Sequence, residues 1–293
     1  MMFKVRHSTR YAYATPVDLA VHMVHLRPRT LPWQQVLTSS LSVMPEAARR
    51  RDGLDHFGNL VTWLFLDRPH PEFEVTTEAL VAVGFPAPPA AETTPAWEKV
   101  AAQARAGGPG AWQAAEFAFG SRMAPAHQGA GAYAAESFPP GRPVLAGLLE
   151  LNKRIRADFR FRAGVTTLST SISEVLEKRE GVCQDFTHLM IGALRQLGLP
   201  ARYTSGYIRT RPPPGQQRRR GADQSHAWVG CWLGPQHGWV DLDPTNGILV
   251  KDEHVVLGWG RDYADISPLY GIILGGGAHR LTVAVDLEPQ EAG

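Results

Sequence analysis

The sequence predicts an α+β protein in which one long helix packs on an antiparallel sheet and a β-rich region precedes both. Short alternating or apolar runs, such as residues 60–66, fill positions 3–85 and indicate strands. Over residues 183–198 the apolar side chains instead recur at the i, i+3, i+4, i+7 spacing of a helix with one buried face. Two further alternating runs, at residues 225–233 and 239–243, predict a hairpin close behind that helix.

Composition divides the chain into three regions. Residues 1–85 form a predicted β-rich N-terminal domain. Residues 86–143 are dense in Ala, Pro and Gly and predict a connector with short helices near 96–105 and 111–121. The third region, residues 144–293, holds the long helix and the hairpin, so we expect it to form a core of its own.

Length, charge and hydropathy pattern fit a soluble globular protein. The chain has 293 residues and a formal net charge of +2, which argues against a nucleic-acid partner because such proteins usually carry a strong basic excess. It contains no run of about 18 apolar residues, so we expect neither a transmembrane helix nor a membrane partner. The first residues lack the apolar centre of a secretory signal, which predicts a cytoplasmic location.

Cys183 is the more informative of the two cysteines because it opens the predicted helix shortly after Gly181. Unpaired N–H groups and the positive end of the helix dipole favour a thiolate at this position and could hold a developing oxyanion. Cys231 lies within a predicted strand. In a reducing compartment, both thiols are expected to be free.

An imidazole and a carboxylate follow the thiol, which completes the groups that a cysteine nucleophile needs. His226 lies on the first strand of the predicted hairpin, and Asp241 and Asp243 lie on the second. A turn within residues 234–238 puts a residue at 243–246 opposite His226, whereas Asp241 lies two residues nearer the turn. Cross-strand neighbours approach to about 5 Å between Cβ atoms. We therefore predict that Asp243 orients the imidazole, with Asp241 as the alternative.

Three blocks of the sequence resemble the transglutaminase-like superfamily: GVCQDF at residues 181–186, SHAW at 225–228 and WVDLDPTNG at 239–247. The likeness extends to the segments at 158–170, 172–179 and 260–268, which resemble those that flank the triad in the bacterial branch. Residues 11–29 resemble the N-terminal region fused to that branch. The resemblance thus covers most of the chain except residues 86–143.

This resemblance implies that residues 144–293 form a papain-like transglutaminase catalytic core, with a Cys-His-Asp triad in this chain order. Position by position, the nucleophile falls on Cys183, the base on His226, and the acidic member, which precedes Pro-Thr, on Asp243. It implies acyl transfer through a thioester on a protein or peptide substrate, with an amine as a possible acceptor and without a metal or organic cofactor. Outcomes within the superfamily include amide transfer, deamidation and peptide hydrolysis.

Two other functions stay open. A cysteine peptidase or amidase would use the same triad, and a non-catalytic peptide-binding or assembly module would not need it. Trp228, on the strand face of His226, is a candidate wall of the substrate pocket, together with Gln184 and Asp241. We also expect the backbone N–H of Cys183 to form part of an oxyanion hole.

Two features have weaker functional interpretations. The loop at residues 209–224 is most simply a solvated insertion, although Arg218–Arg220 within it would suit a basic substrate rim. His22, His25 and His56 lack ligand partners at zinc-like spacing, so we expect them to be structural or surface residues.

Overall fold

The computed structural model describes residues 1–210 and 223–290 and confirms the α+β class and the β-rich N-terminal region. The N-terminal region contributes five antiparallel strands to a first sheet, in the order β2-β5-β1-β4-β3. These strands are β1 (Met2–Val24), β2 (Gln34–Met44), β3 (Arg49–Leu54), β4 (Leu60–Leu66) and β5 (His70–Val83).

The long strand β1 organises this sheet. Its first part pairs with β5, where Phe3 lies opposite Val81, and its last part pairs with β4, where Val21 lies opposite Phe65. Every second side chain near the start of β1 is buried, beginning with Phe3 and Val5. The period of two in the sequence therefore produces one buried face, as expected for a strand.

The middle of the chain forms α1 (Trp97–Ala106), α2 (Trp112–Ala115) and α3 (Gln128–Ala135). The first two correspond to the predicted short helices, but α2 is brief and continues as a 3-10 turn at Glu116–Ala118. The helix α3 packs closely against the helix that carries Cys183, and Gly131 leaves no room for a Cβ beside the Gln196 side chain. This part of the connector thus belongs to the hydrophobic core of the second half.

Three helices lead into the second sheet: α4 (Val144–Asp158), α5 (Ile172–Lys178) and α6 (Cys183–Gln196). Two short parallel strands, β6 (Arg160–Phe161) and β7 (Glu180–Gly181), separate them. The predicted helix beginning at Cys183 is therefore present. Its apolar face is buried, with Leu189 and Leu194 fully inaccessible, and packs on the second sheet.

The second sheet has the order β11-β10-β9-β8-β12 and is antiparallel. Its strands are β8 (Ala201–Ile208), β9 (Gln224–Trp232), β10 (Trp239–Asp243), β11 (Ile248–Leu249) and β12 (His254–Gly260). Cys231 lies opposite Val240 in the β9-β10 pair, so the predicted hairpin is present. Trp228 on β9 packs with Val250 and Val256.

The end of the chain returns to the first sheet. Both β13 (Leu269–Gly275) and β14 (His279–Gln290) pair with β1, with Ile272 opposite Val21 and Leu287 opposite Val5. The region from residue 144 onward therefore supplies strands to both sheets. The domain divisions at residues 85 and 143 stay predictions.

The helices in the described ranges are all too short or too polar to cross a bilayer. Most of the predicted basic loop, including Arg218–Arg220, lies outside the described residues, so the interpretation of this loop stays a prediction.

Candidate active site

Cys183 is the first residue of α6, and the chain enters this helix through a turn that Asp185 stabilises. The Asp185 Oδ2 atom accepts hydrogen bonds from the Val182 N–H and from the Thr166 hydroxyl, both at 2.7 Å. Gly181 lies against the same side chain, since a Cβ there would be 2.9 Å from the Asp185 Cβ. The motif therefore encodes a turn that needs a glycine before the cysteine and an acid after it.

The N-terminal end of α6 gives Cys183 an electropositive backbone environment. Val182 precedes the helix without a side-chain cap, and the Asp185 N–H bonds to the Val182 carbonyl at 3.0 Å. The N–H groups of Cys183 and Gln184 have no acceptor within the described part of the chain. Such groups, aligned with the helix dipole, stabilise negative charge. Cys183 is only half-buried, and its thiol is not part of a disulfide.

The predicted contact between His226 and Asp243 is present: Nε2 of the imidazole lies 2.8 Å from Oδ2 of the carboxylate. Both side chains are buried, Asp243 completely. Continuing the β9-β10 register beyond the Leu242–Val229 pair puts Thr245 opposite His226, which makes Asp243 its diagonal neighbour.

The Asp-Pro-Thr-Asn segment holds this carboxylate in place. Asp243 Oδ1 accepts the N–H groups of Thr245 and Asn246 at 3.0 and 3.1 Å, and Oδ2 accepts the Asn246 side-chain amide at 2.6 Å. An aspartate that bonds the backbone two and three residues ahead forms a local turn at the strand end. Burial alone would raise the pKa of Asp243, but the bonds from His226 and its other donors hold it well below its usual value.

The His226 imidazole interacts with both the Asp243 carboxylate and the Cys183 thiol. Burial lowers the pKa of His226, but the hydrogen bond to Asp243 and the nearby Asp243 and Cys183 charges outweigh this effect and raise it to about 10. Because Nε2 is held by Asp243, Nδ1 is the ring nitrogen available to Cys183. The three predicted catalytic side chains are therefore brought together in the order thiol, imidazole, carboxylate.

A second histidine, His254 at the start of β12, reaches the same carboxylate. Its Nε2 lies 3.5 Å from Asp243 Oδ2, and its side chain is buried. The rings of His254 and Trp228 meet edge to face, with 5.3 Å between centroids. Sequence reasoning missed this residue.

His226, His254 and Asp243 are also a candidate metal site, because their possible ligand atoms all lie within 4.8 Å of one another. The 2.8 Å separation of His226 Nε2 and Asp243 Oδ2 is a hydrogen-bond distance. Two ligands of a tetrahedral Zn²⁺ would lie about 3.3 Å apart. The geometry therefore fits a hydrogen-bonded network better than a metal centre.

The candidate pocket residues lie in different surroundings. Gln184 is half-buried beside Cys183 on the first turn of α6. Trp228 has no exposed surface and packs beside His226, with 6.1 Å between ring centroids. This complete burial does not support its predicted role as a pocket wall. We interpret Trp228 as packing behind the imidazole.

Asp241 lies away from the imidazole and pairs with Arg202 on β8, with 3.6 Å between Oδ1 and Nη2. Gly230 separates the two on the intervening strand, and a Cβ there would lie 2.5 Å from Arg202 Nε and 2.7 Å from Asp241 Oδ1. The guanidinium also lies over the rings of Trp239 and Trp259, at 4.4 and 3.8 Å from their centroids. Asp241 is thus part of a buried ion pair. Its predicted alternative role, to orient the imidazole in place of Asp243, has no contact with His226 to support it.

Tyr203 is a further residue near the thiol that sequence reasoning did not identify. Burial raises the pKa of Tyr203 well above its usual value, and the neighbouring Cys183 adds to this rise. Its ring also contacts that of His188, at 5.2 Å between centroids. His188 accepts a hydrogen bond from the Tyr263 N–H at 3.2 Å and therefore acts in packing rather than as the base.

The fold and the site together define a class of protein. Residues 3–82 match the bacterial transglutaminase-like N-terminal region, and residues 132–244 match the transglutaminase-like superfamily. The chain belongs to the transglutaminase-like superfamily, in the form that carries this N-terminal region. Membership supports a cysteine-dependent activity in general terms.

Individual relatives extend the comparison. An uncharacterized protein of Mycobacterium tuberculosis is 40% identical over 293 residues, which is 99% of this chain and 93% of that protein. A protein-glutamine gamma-glutamyltransferase of Pseudomonas aeruginosa is 35% identical over 72 residues, which is 24% of this chain and 11% of that enzyme. The solved structure of a candidate cysteine protease from Cytophaga hutchinsonii has the same fold, with a TM-score of 0.75, 21% identity, and coverage of 100% of this chain and 92% of that chain.

Proposed function

We propose that the protein catalyses cysteine-dependent acyl transfer from peptide or glutamine carboxamide groups through a thioester intermediate. The observation that carries this proposal is the 2.8 Å bond between His226 and Asp243 beside a half-buried thiol at the start of a helix. A buried structural cysteine would need none of these features. The short stretch of similarity to a protein-glutamine gamma-glutamyltransferase supports glutamine as the acyl donor.

In the first half of the reaction, the Cys183 thiolate attacks the carbonyl carbon of the amide. The carbonyl oxygen becomes an oxyanion, which the free N–H groups of Cys183 and Gln184 can stabilise. His226, protonated at Nδ1, gives that proton to the amide nitrogen as the carbon–nitrogen bond breaks. Ammonia leaves from a glutamine side chain, or an amine leaves from a peptide, and Cys183 carries the acyl group as a thioester.

In the second half, neutral His226 takes a proton from the acceptor. Water or a primary amine then attacks the thioester carbonyl, the carbon–sulfur bond breaks, and the thiolate and imidazolium are restored. Asp243 holds Nε2 protonated throughout, so Nδ1 is always the nitrogen that exchanges protons. The triad serves both acceptors, and access to the site decides between transfer and hydrolysis.

A peptidase or amidase is the second candidate, because the same thioester formed from a backbone amide and released to water gives cleavage. The protein shares its fold with a candidate cysteine protease, which is why we keep peptide hydrolysis as an alternative. A non-catalytic peptide-binding module is the third candidate. It accounts poorly for a buried imidazole held by a carboxylate next to a thiol at a helix start, which such a module would not need.

Mass spectrometry of a glutamine-containing peptide library, incubated with and without a primary amine, separates these functions. We expect amine incorporation at glutamine, and we expect Cys183→Ala to abolish it. Cys231→Ala is the matched control, because this thiol is buried in β9 and burial raises its pKa well above its usual value. Backbone cleavage would establish the peptidase, conversion of glutamine to glutamate would establish a deamidase, and no product from any peptide would favour the binding module.

A further inference from the structure

We infer that His254 is a positioning residue of the active site, which holds the Asp243 carboxylate and moderates its pull on His226. This inference rests on the proposed function. Its geometric basis is the 3.5 Å contact between His254 Nε2 and Asp243 Oδ2, made by a residue that is 1% exposed. The arrangement is therefore a carboxylate flanked by two imidazoles rather than a simple triad.

The protonation of His254 follows from its two neighbours. Asp243 is held ionised and can only accept hydrogen bonds, so a buried nitrogen that faces it must carry a proton. On the other side of the ring, Nδ1 lies 3.5 Å from the Lys251 N–H and 3.3 Å from the Lys251 carbonyl. A neutral ring would accept from the N–H, and a charged ring would donate to the carbonyl. In both forms Nε2–H points at Asp243.

His254 competes with His226 for one oxygen. Among the described residues, Asp243 Oδ2 receives three donors: His226 at 2.8 Å, the Asn246 amide at 2.6 Å and His254 at 3.5 Å. A carboxylate oxygen offers about two lone pairs, so three donors share its charge. Removal of the His254 donor should leave more negative charge for His226 and therefore raise the pKa of His226.

Few other charged or titratable groups near His254 could change the pKa of His226. On β10 the charged groups that face it are Asp243 and Asp241, and on β9 His226 lies 6.3 Å away between ring centroids. On β8 its strand partner is the apolar Ile208. Its packing partner, Trp228, cannot titrate. The position of the ring is thus fixed by packing, and its charge interactions are with the catalytic network and the Asp241–Arg202 pair.

Three substitutions separate the Nε2 donor from the shape of the ring. In His254→Gln the side-chain amide can place a donor where Nε2 was. In His254→Asn the shorter amide can accept from the Lys251 N–H but cannot reach Asp243. In His254→Phe the ring that packs on Trp228 is kept without any donor. The first variant is therefore the conservative rescue for the other two.

The test is a ring-nitrogen NMR titration of His226 in histidine-labelled full-length protein. A Cys183→Ala background removes the thiol whose charge acts on the imidazole, and His226→Gln identifies the signal. We expect His254→Phe and His254→Asn to raise the titration midpoint of His226 by about 0.5 pH unit or more, and His254→Gln to leave it near the unmodified value. If His254→Phe does not fold, the comparison of Gln with Asn decides the question.

A midpoint that stays unchanged or falls in the folded Phe or Asn variant would overturn the inference and reduce His254 to a packing residue. Because the titration needs no substrate and no thiol, its result does not depend on acyl transfer. Absence of any amide product in the peptide experiment, with a shifted midpoint here, would contradict the proposed function and leave the role of His254 intact.

Discussion

Asp241 and Arg202 face each other across Gly230, with 3.6 Å between Oδ1 and Nη2, and both side chains are buried. Burial raises the pKa of Asp241 and lowers that of Arg202, while each charge opposes the shift of the other. The two aspartates of the W-V-D-L-D segment are therefore different in kind. Asp241 is the counter-charge of a buried guanidinium, and Asp243 contacts the imidazole.

Asp241→Asn is expected to lower stability rather than activity per folded molecule. It leaves a buried guanidinium without its counter-charge, which should lower the free energy of unfolding by about 3 kcal/mol. Urea denaturation measures the loss, and turnover should be corrected for the folded fraction. A variant as stable as the native protein but with little turnover would instead assign Asp241 a catalytic role.

Asp243→Asn is expected to show the opposite behaviour. The amide can donate as well as accept, so the imidazole tautomer that puts its proton on Nε2 is no longer enforced. Turnover should fall by roughly 10⁴-fold, as for the loss of an orienting carboxylate. Steady-state kinetics on the peptide identified by mass spectrometry measures the effect. A loss of less than about tenfold, a cost near 1.4 kcal/mol, would remove Asp243 from the catalytic network.

Arg195 is predicted to be a major source of stability for the helix that carries Cys183. Arg195 is 3% exposed. It donates to four backbone carbonyls and one hydroxyl: Phe117 O at 3.0 Å, Ser121 Oγ at 2.8 Å, Ala124 O at 2.6 Å, Ala201 O at 3.1 Å and Arg261 O at 2.6 Å. Arg195→Met leaves these acceptors buried without a donor, so we expect a loss of at least about 3 kcal/mol in urea denaturation.

Lys178→Met is the matched control for this substitution. Lys178 is exposed and makes an ion pair with Glu174 one helical turn away, at 3.8 Å. Its replacement should change the free energy of unfolding by no more than about 0.5 kcal/mol. Equal effects of the two substitutions would show that the Arg195 network contributes little.

Stability is expected to fall as the solution becomes acidic, because three buried histidines are neutral in the folded protein. Burial lowers the pKa of His7, His22 and His188 to about 4. In the unfolded chain each titrates near pH 6.5, so the unfolded state binds more protons between these values. Their contribution is complete above about pH 6.5 and is lost as the pH falls toward about 4.

The substitution His22→Phe tests the pH dependence of stability at a single position. The His22 ring stacks on Phe73 at 4.2 Å between centroids, and neither of its nitrogens has a hydrogen-bond partner within the described residues. Phenylalanine should therefore fit and should reduce the slope of stability against pH in this window. His56→Phe, at an exposed position, is the control. An unchanged slope in His22→Phe would contradict a neutral buried His22.

The sequence alone was sufficient for the contacts that depend on local spacing. The start of α6 follows from Gly181 and the helical period after Cys183. The contact of Asp243 with His226 follows from counting residues around one hairpin. Such relationships involve neighbouring elements whose register a short turn fixes.

Relationships between distant strands could not be predicted in this way. His254 reaches Asp243 only because β12 pairs with β8 and its first residue lies beside Trp228. Tyr203 approaches Cys183 because β8 packs under α6. The pairing of β13 and β14 with β1 joins the two ends of the chain. No local period in the sequence encodes these long-range pairings, which tertiary packing decides.

Alkylation of Cys183 at mildly acidic pH tests the central claim, an activated cysteine nucleophile, most directly. The protein is treated with limiting iodoacetamide, and peptide mass spectrometry compares modification at Cys183 and Cys231 in the native protein and in His226→Gln. We expect rapid modification of Cys183 alone in the native protein, and a large loss of that rate without the imidazole, because the thiolate is the reactive form. Equal slow modification with and without His226 would contradict the account.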